Sequence, residues 1–153
     1  MAKKAKSKTE KIKVLVLNGP NLNLLGEREP EVYGKMTLKD LINQIKAHGK
    51  NDFQLQFKQS NHEGKLIDFL HAARKTADAI VINPGAYTHY SYAIRDAISS
   101  INLPVYEVHL SDISKREDFR KVSVVKDVCK AQISGRGVNS YTDALDMIKG
   151  ARS

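Results

Sequence analysis

The sequence predicts an α/β fold, with a five-stranded parallel sheet in the order 2-1-3-4-5 and helices on both faces. Three observations point to it. Short apolar runs alternate along the chain with segments of helical period. Several of those runs end in clusters of Asn, Gly and Pro, which break strands and open loops. The length, 153 residues, favours one domain with a sizeable core.

The elements follow in order. Val14–Leu17 is the first strand, ended by Asn18-Gly19-Pro20-Asn21. Thr37 opens a helix, with Asp40 three residues on as a variant of the capping box. Leu38, Leu41, Ile42 and Ile45 form its apolar stripe, and Gly49 is its expected stop. Phe53–Phe57 alternates with period two and reads as the second strand. Leu66, Phe69, Leu70 and Ala73 mark the next helix. Ala79–Ile82 is the third strand, ended by Asn83-Pro84-Gly85. Ser91 opens a helix that turns Ile94, Ala97 and Ile98 inward and stops before Pro104. Val105–Val108 is the fourth strand, followed by a charged connection with Phe119 as its anchor. A short fifth strand is expected around Gln132 and Ile133, then a helix with Ala144, Leu145 and Ile148 inward. Five such strands suit the flavodoxin-like, doubly wound order. That order brings the loops after strands 1, 3 and 4 to one edge of the sheet, where such folds place their sites.

Composition narrows the function. The chain is 41% hydrophobic, and no apolar run approaches the roughly 20 residues that span a bilayer. The single cysteine, Cys129, makes no internal disulfide, which places the chain in the cytoplasm. Its thiol reads as a small core group rather than a reactive one. Of the net charge of +8, half lies in residues 1–11, where five lysines face one glutamate without any apolar pattern. That stretch reads as a disordered basic tail, and residues 12–153 as a single domain. No secretory signal follows the lysines, and no aromatic-basic or helix-turn-helix pattern supports nucleic-acid binding. The charge of the folded part suits an acidic small molecule.

Three loops carry the chemistry. The first offers Asn18, Asn21, Asn23, Arg28 and Tyr33. Asn18, Gly19, Pro20 and Asn23 read as turn formers. Arg28 and Tyr33 sit in a long loop and are either surface contacts or a phenol whose ionised form a guanidinium favours. The second loop runs from Asn83 to His89, with Gly85 allowing close backbone approach to a ligand. His89 either meets a ligand or serves the helix start, and Asp96 on the following helix reads locally as a solvated carboxylate. In the third, strand alternation puts Glu107 and His109 on one side. A carboxylate beside an imidazole holds one tautomer and favours the protonated ring, as a general acid requires. The Leu110 and Ser111 amides bind a carboxylate if the turn forms a nest. Lys115, Arg116 and Arg120 are either a charged surface or a cationic lid. A flavin-binding module is the main rival, but no Ser/Thr/Gly-rich phosphate loop follows the first strand.

Several blocks together resemble one family, type II 3-dehydroquinate dehydratase. They are Leu17–Leu22, Arg28-Glu29-Pro30 with Tyr33-Gly34, Gln59–Gly64, Asn83–His89 and Glu107-Val108-His109, within a resemblance running from Val14 to Lys149. The resemblance implies a flavodoxin-like fold and removal of water from 3-dehydroquinate to give 3-dehydroshikimate, without metal or organic cofactor. It implies Tyr33 as the base, kept ionised by Arg28, and an enolate helped by a water near Asn21 and the Pro20 carbonyl. His109, oriented by Glu107, protonates the leaving hydroxyl. Asn83 with the Leu110 and Ser111 amides matches the carboxylate site. His89 and Arg120, and Asp96 from a neighbouring subunit, match groups that hold ring hydroxyls. Arg116 matches the arginine of the closing loop. The family generally forms dodecamers built from trimers. Three features depart from its pattern: a more polar run from Cys129 to Gly137, Ser140 in place of a common glycine, and Tyr90 in place of a common threonine. These bear on packing and subunit contacts.

Overall fold

The computed structural model describes residues 10–152, so most of the expected basic tail lies outside the described residues. Five strands form one parallel sheet: β1 (Ile12–Asn18), β2 (Phe53–Gln59), β3 (Ala79–Asn83), β4 (Val105–His109) and β5 (Ala131–Ser134). Their order is β2-β1-β3-β4-β5, as the alternation predicts. β3 and β4 are buried at every position, which is why their apolar runs show little alternation. The edge strand β2 alternates instead.

The helices are α1 (Pro30–Tyr33), α2 (Leu38–Gly49), α3 (Glu63–Thr76), α4 (Tyr92–Ser100) and α5 (Val138–Arg152). One core layer joins α2 and α5 to the sheet through Leu41, Ile45, Tyr141 and Leu145. The other joins α3 and α4 through Leu66, Leu70, Ile94 and Ile98. Among the described residues no helix is long and apolar enough to cross a membrane.

Local chemistry sets the helix ends. The Thr37 hydroxyl accepts from the Asp40 amide while the Asp40 carboxylate accepts from the Thr37 amide, a complete capping box. The Ser91 hydroxyl caps α4 by accepting from the Ile94 amide. Gly49 is the last residue of α2, as expected of its stop, and Lys50 after it is right-handed. A side chain at Gly49 would meet Leu55, Phe53 and Leu145 within 3.2–3.4 Å, so packing explains the glycine. Phe119 differs from expectation. It is 60% exposed, and the charged connection is anchored by Ile113 and Val125 instead.

Register aligns the functional edge. Asn18 pairs with Asn83, and Ile82 with Glu107. The β1 and β3 loops then clasp each other: the Gly19 amide donates to the Asn83 carbonyl at 2.7 Å. A Cβ at Gly19 would lie 2.5 Å from the Pro84 carbonyl oxygen, so only glycine allows this approach.

Candidate active site

A cavity of about 100 Å³ opens at this edge. Ten of the predicted residues line it: Asn21, Arg28, Tyr33, Asn83, His89, His109, Leu110, Ser111, Arg116 and Arg120. Glu107 stands directly behind His109. Asp96 lies apart, exposed on α4.

Strand geometry delivers the imidazole. Glu107 and His109 are both buried at the end of β4, on the same side as alternation requires. The His109 Nε2–H donates to Glu107 Oε2 at 2.6 Å. The carboxylate also accepts from the Thr88 hydroxyl, from the Ser123 hydroxyl at 2.9 Å, and from Gln132 Nε2 at 3.0 Å. Burial raises the Glu107 carboxyl pKa, but the His109 bond and charge and the Thr88 and Ser123 hydroxyls outweigh it. The group is held below its ordinary value. An ionised Glu107 only accepts, so Nε2 carries the hydrogen and Nδ1 is left for proton exchange.

The phenol is presented differently. Tyr33 ends the short α1, whose entry residue Glu29 is left-handed at φ 36°. The Arg28 guanidinium lies over the Tyr33 ring, 4.6 Å from its centroid. The hydrogen bond to the phenol oxygen comes from Arg116, whose Nη1 donates at 2.7 Å. Glu29 joins the two arginines, 3.1 Å from Arg28 and 4.0 Å from Arg116. Arg120, beyond Arg116, pairs with Glu117 and stacks on Phe119.

The second loop completes the wall. The Asn83 Nδ2 donates to the Tyr141 hydroxyl at 2.9 Å, and its Oδ1 accepts from the Gly85 amide at 3.1 Å. Gly85 adopts φ +61° against Pro20. The His89 Nδ1–H donates to the Val122 carbonyl at 2.7 Å. Burial chiefly lowers the His89 pKa, with the charges of His109 and Arg120 adding to it, so the ring favours its neutral form and Nε2 is an acceptor. The Asn21 backbone is left-handed at φ 69°, and its amide donates to Asn61 Oδ1 at 3.0 Å. Gln59 supports the same loop, donating to the Gly19 carbonyl and to Asn61. The Leu110 and Ser111 carbonyls accept from the Gly137 and Gly135 amides, which fixes the turn that carries their own N–H groups.

A phenol with two guanidinium partners therefore faces an imidazole backed by a buried carboxylate across one polar cavity. A sequence model for the family described as Dehydroquinase class II matches residues 12–149. The chain belongs to the class II dehydroquinase family. It is 57% identical over 136 residues to a 3-dehydroquinate dehydratase of Pelotomaculum thermopropionicum, covering 88% of this chain and 94% of that one. It is also 57% identical over 132 residues to a 3-dehydroquinate dehydratase of Bacillus pumilus, covering 86% and 90%. Among solved structures, a type II dehydroquinase from Butyrivibrio crossotus superposes with a TM-score of 0.88 at 48% identity, covering 90% of this chain and 97% of that one. One from Propionibacterium acnes gives 0.87 at 38% identity, covering 94% and 99%.

Within this dehydroquinase fold, sequence reasoning missed the groups that hold the cavity walls. Thr88, Ser123 and Gln132 read locally as loop and strand residues, yet all three donate to Glu107. Gln132 thereby accounts for part of the unexpectedly polar run before Gly137. Ser140 is fully buried, and its hydroxyl accepts from the Arg136 amide. Asn18 is not a turn former: it is buried and accepts from the Tyr141 hydroxyl at 2.6 Å. Cys129 matches its reading as a core group, since burial pushes its thiol up to about 12. Among the described residues, no group of three or more His, Cys, Asp or Glu is placed to hold a metal ion.

Proposed function

We propose that the protein is a 3-dehydroquinate dehydratase that eliminates water from 3-dehydroquinate by acid/base catalysis through an enolate, giving 3-dehydroshikimate in the shikimate or quinate pathway. The observation that carries this reading is the opposition of Tyr33 and His109 across one cavity, each with its charged partners.

In this reading Tyr33, as phenolate, takes the proton from the carbon next to the ketone. The negative charge of that form is met by Arg116 at the oxygen and Arg28 over the ring. A water held near Asn21 and the Pro20 carbonyl stabilises the enolate, and such preorganised stabilisation is typically worth several kcal/mol. His109, fixed by Glu107, protonates the departing hydroxyl. The substrate carboxylate binds Asn83 and the Leu110 and Ser111 amides, while His89 and Arg120 hold ring hydroxyls. Arg116 closes with its loop and excludes water. No metal or organic cofactor takes part.

Asp96 serves the site of a neighbouring protomer in a dodecamer built from trimers, in the cytoplasm. Its exposure on α4, a helix that also exposes Tyr92 at its start, supports a role outside its own subunit. We assign residues 1–11 as a disordered basic tail and 12–153 as the catalytic domain.

The deciding experiment follows the conjugated enone by ultraviolet absorbance when purified protein meets 3-dehydroquinate without added metal or cofactor. Steady formation of the enone is expected. A flat trace at saturating substrate overturns the assignment.

A further inference from the structure

We infer that Tyr141, on α5, is a positioning residue for the substrate carboxylate, because its hydroxyl decides which edge of the Asn83 amide faces the cavity. The inference rests on the reading of Asn83 as a carboxylate-binding group.

The argument is one of proton counting. Tyr141 has one hydroxyl hydrogen, and it goes to Asn18 Oδ1 at 2.6 Å. Its oxygen is therefore left to accept, and it accepts from Asn83 Nδ2 at 2.9 Å. The far edge of the same amide, Oδ1, takes the Gly85 N–H at 3.1 Å. With both of these met, Asn83 keeps its second Nδ2 hydrogen and one lone pair on Oδ1, the latter on the edge that faces the Gly85 backbone. Asn83 lines the cavity, and its second Nδ2 hydrogen is the donor that a carboxylate there requires. With the amide turned over, Nδ2 would face the Gly85 N–H and the carbonyl would lose its donor. The cavity would then meet a carboxylate with a misplaced amide.

Burial makes the choice firm. Tyr141 is fully buried, Asn18 is 1% exposed and Asn83 is 4% exposed, so water replaces none of these bonds. Burial also pushes the Tyr141 phenol well above its ordinary value, so it stays a neutral donor and acceptor. The three residues come from β1, β3 and α5. The last helix of the chain thereby sets the polarity of a group in the second loop.

The test is a kinetic cycle on the full-length enzyme with 3-dehydroquinate, comparing wild type, Tyr141→Phe, Asn83→Ala and the double variant. Tyr141→Phe should raise KM about tenfold and change kcat by less than about threefold, as loss of uniform binding does. Asn83→Ala should raise KM at least as much, and adding Tyr141→Phe to it should raise KM no further. Should Tyr141→Phe not fold, Asn18→Ala gives the same reading, since it frees the Tyr141 hydrogen to compete with Asn83 Nδ2; KM should again rise more than kcat falls. An unchanged KM in a folded Tyr141→Phe or Asn18→Ala, or a KM effect that adds in full to that of Asn83→Ala, overturns the positioning role. An unchanged KM in Asn83→Ala overturns instead the reading of Asn83 on which it rests.

Discussion

The two sides of the cavity are built in opposite ways. The imidazole side stands at the end of a central strand. Glu107 is fully buried and takes hydrogen bonds from His109, Thr88, Ser123 and Gln132, which come from β4, the second loop, the charged connection and β5. The phenol side stands on a four-residue helix in a loop. Its entry residue, Glu29, is a non-glycine in left-handed backbone, which costs on the order of 1–2 kcal/mol. Ion pairs with partly exposed side chains tie it together, with Arg28 26% and Glu29 45% exposed. Backbone hydrogen bonds hold the strand end at no further cost to the site. The loop end is held by partly exposed ion pairs, which salt screens. The difference teaches that the proposed acid, with one fixed tautomer, is set by the sheet, whereas the proposed base is held by side-chain ion pairs in a loop.

The largest effect that would break this comparison comes from the loop. Tyr33→Phe keeps the ring under Arg28 and removes only the oxygen. Turnover should fall by about 10³-fold or more, while thermal unfolding moves by no more than a degree or two. Rates near wild type would remove Tyr33 as the base.

Next comes the strand side, where activity and stability should fall together. Glu107→Gln puts an NH₂ group among donors, so turnover should drop by about 10²-fold and stability by about 2–4 kcal/mol. The sign of its pH dependence is fixed. The Glu107 carboxyl is lowered in the folded state from its ordinary 4.5, so its contribution is complete above that value. It is lost as pH falls through the folded value. The gap in melting temperature between wild type and Glu107→Gln, read by calorimetry, should therefore be widest above about pH 5 and close at lower pH. A gap that widens on acidification contradicts an ionised, stabilising Glu107.

Gly19→Ala tests the clasp beneath both sides. A Cβ there would lie 2.5 Å from the Pro84 oxygen. Denaturant unfolding should show a loss of about 1–3 kcal/mol. The smallest effect is expected at Glu29→Gly, which relieves the left-handed backbone but deletes two ion pairs. Its stability should stay within about 1 kcal/mol of wild type, while activity becomes less sensitive to added salt than in wild type. A salt response equal to wild type would mean that Glu29 does not organise the loop.

Much of the fold was legible because its signals are local. The Thr37 and Asp40 capping box spans four residues, and the Glu107 and His109 pair follows from strand alternation alone. The strand order followed from chain alternation and the short connections it permits. Gly49 is legible as the helix stop, but its packing role is not, because a glycine needed for close packing looks the same in sequence as one that ends a helix. Phe119 was misread because an aromatic in a charged stretch says nothing of whether the chain turns it inward. Tyr141 was invisible as part of the site: its partners lie 58 and 123 positions away.

By itself, then, the sequence determined the periodic features: where strands and helices run, how they begin, and which chemical groups lie at the strand ends. These depend on sterics and hydrogen bonds between near neighbours, which the chain carries in any context. Only the tertiary structure decided which polar group partners which: Arg116 with Tyr33, Thr88, Ser123 and Gln132 with Glu107, and Tyr141 with Asn18 and Asn83. In the unfolded chain water satisfies each of these groups equally well. Burial removes that alternative, and what remains depends on how helices and loops distant in sequence cross one edge of the sheet.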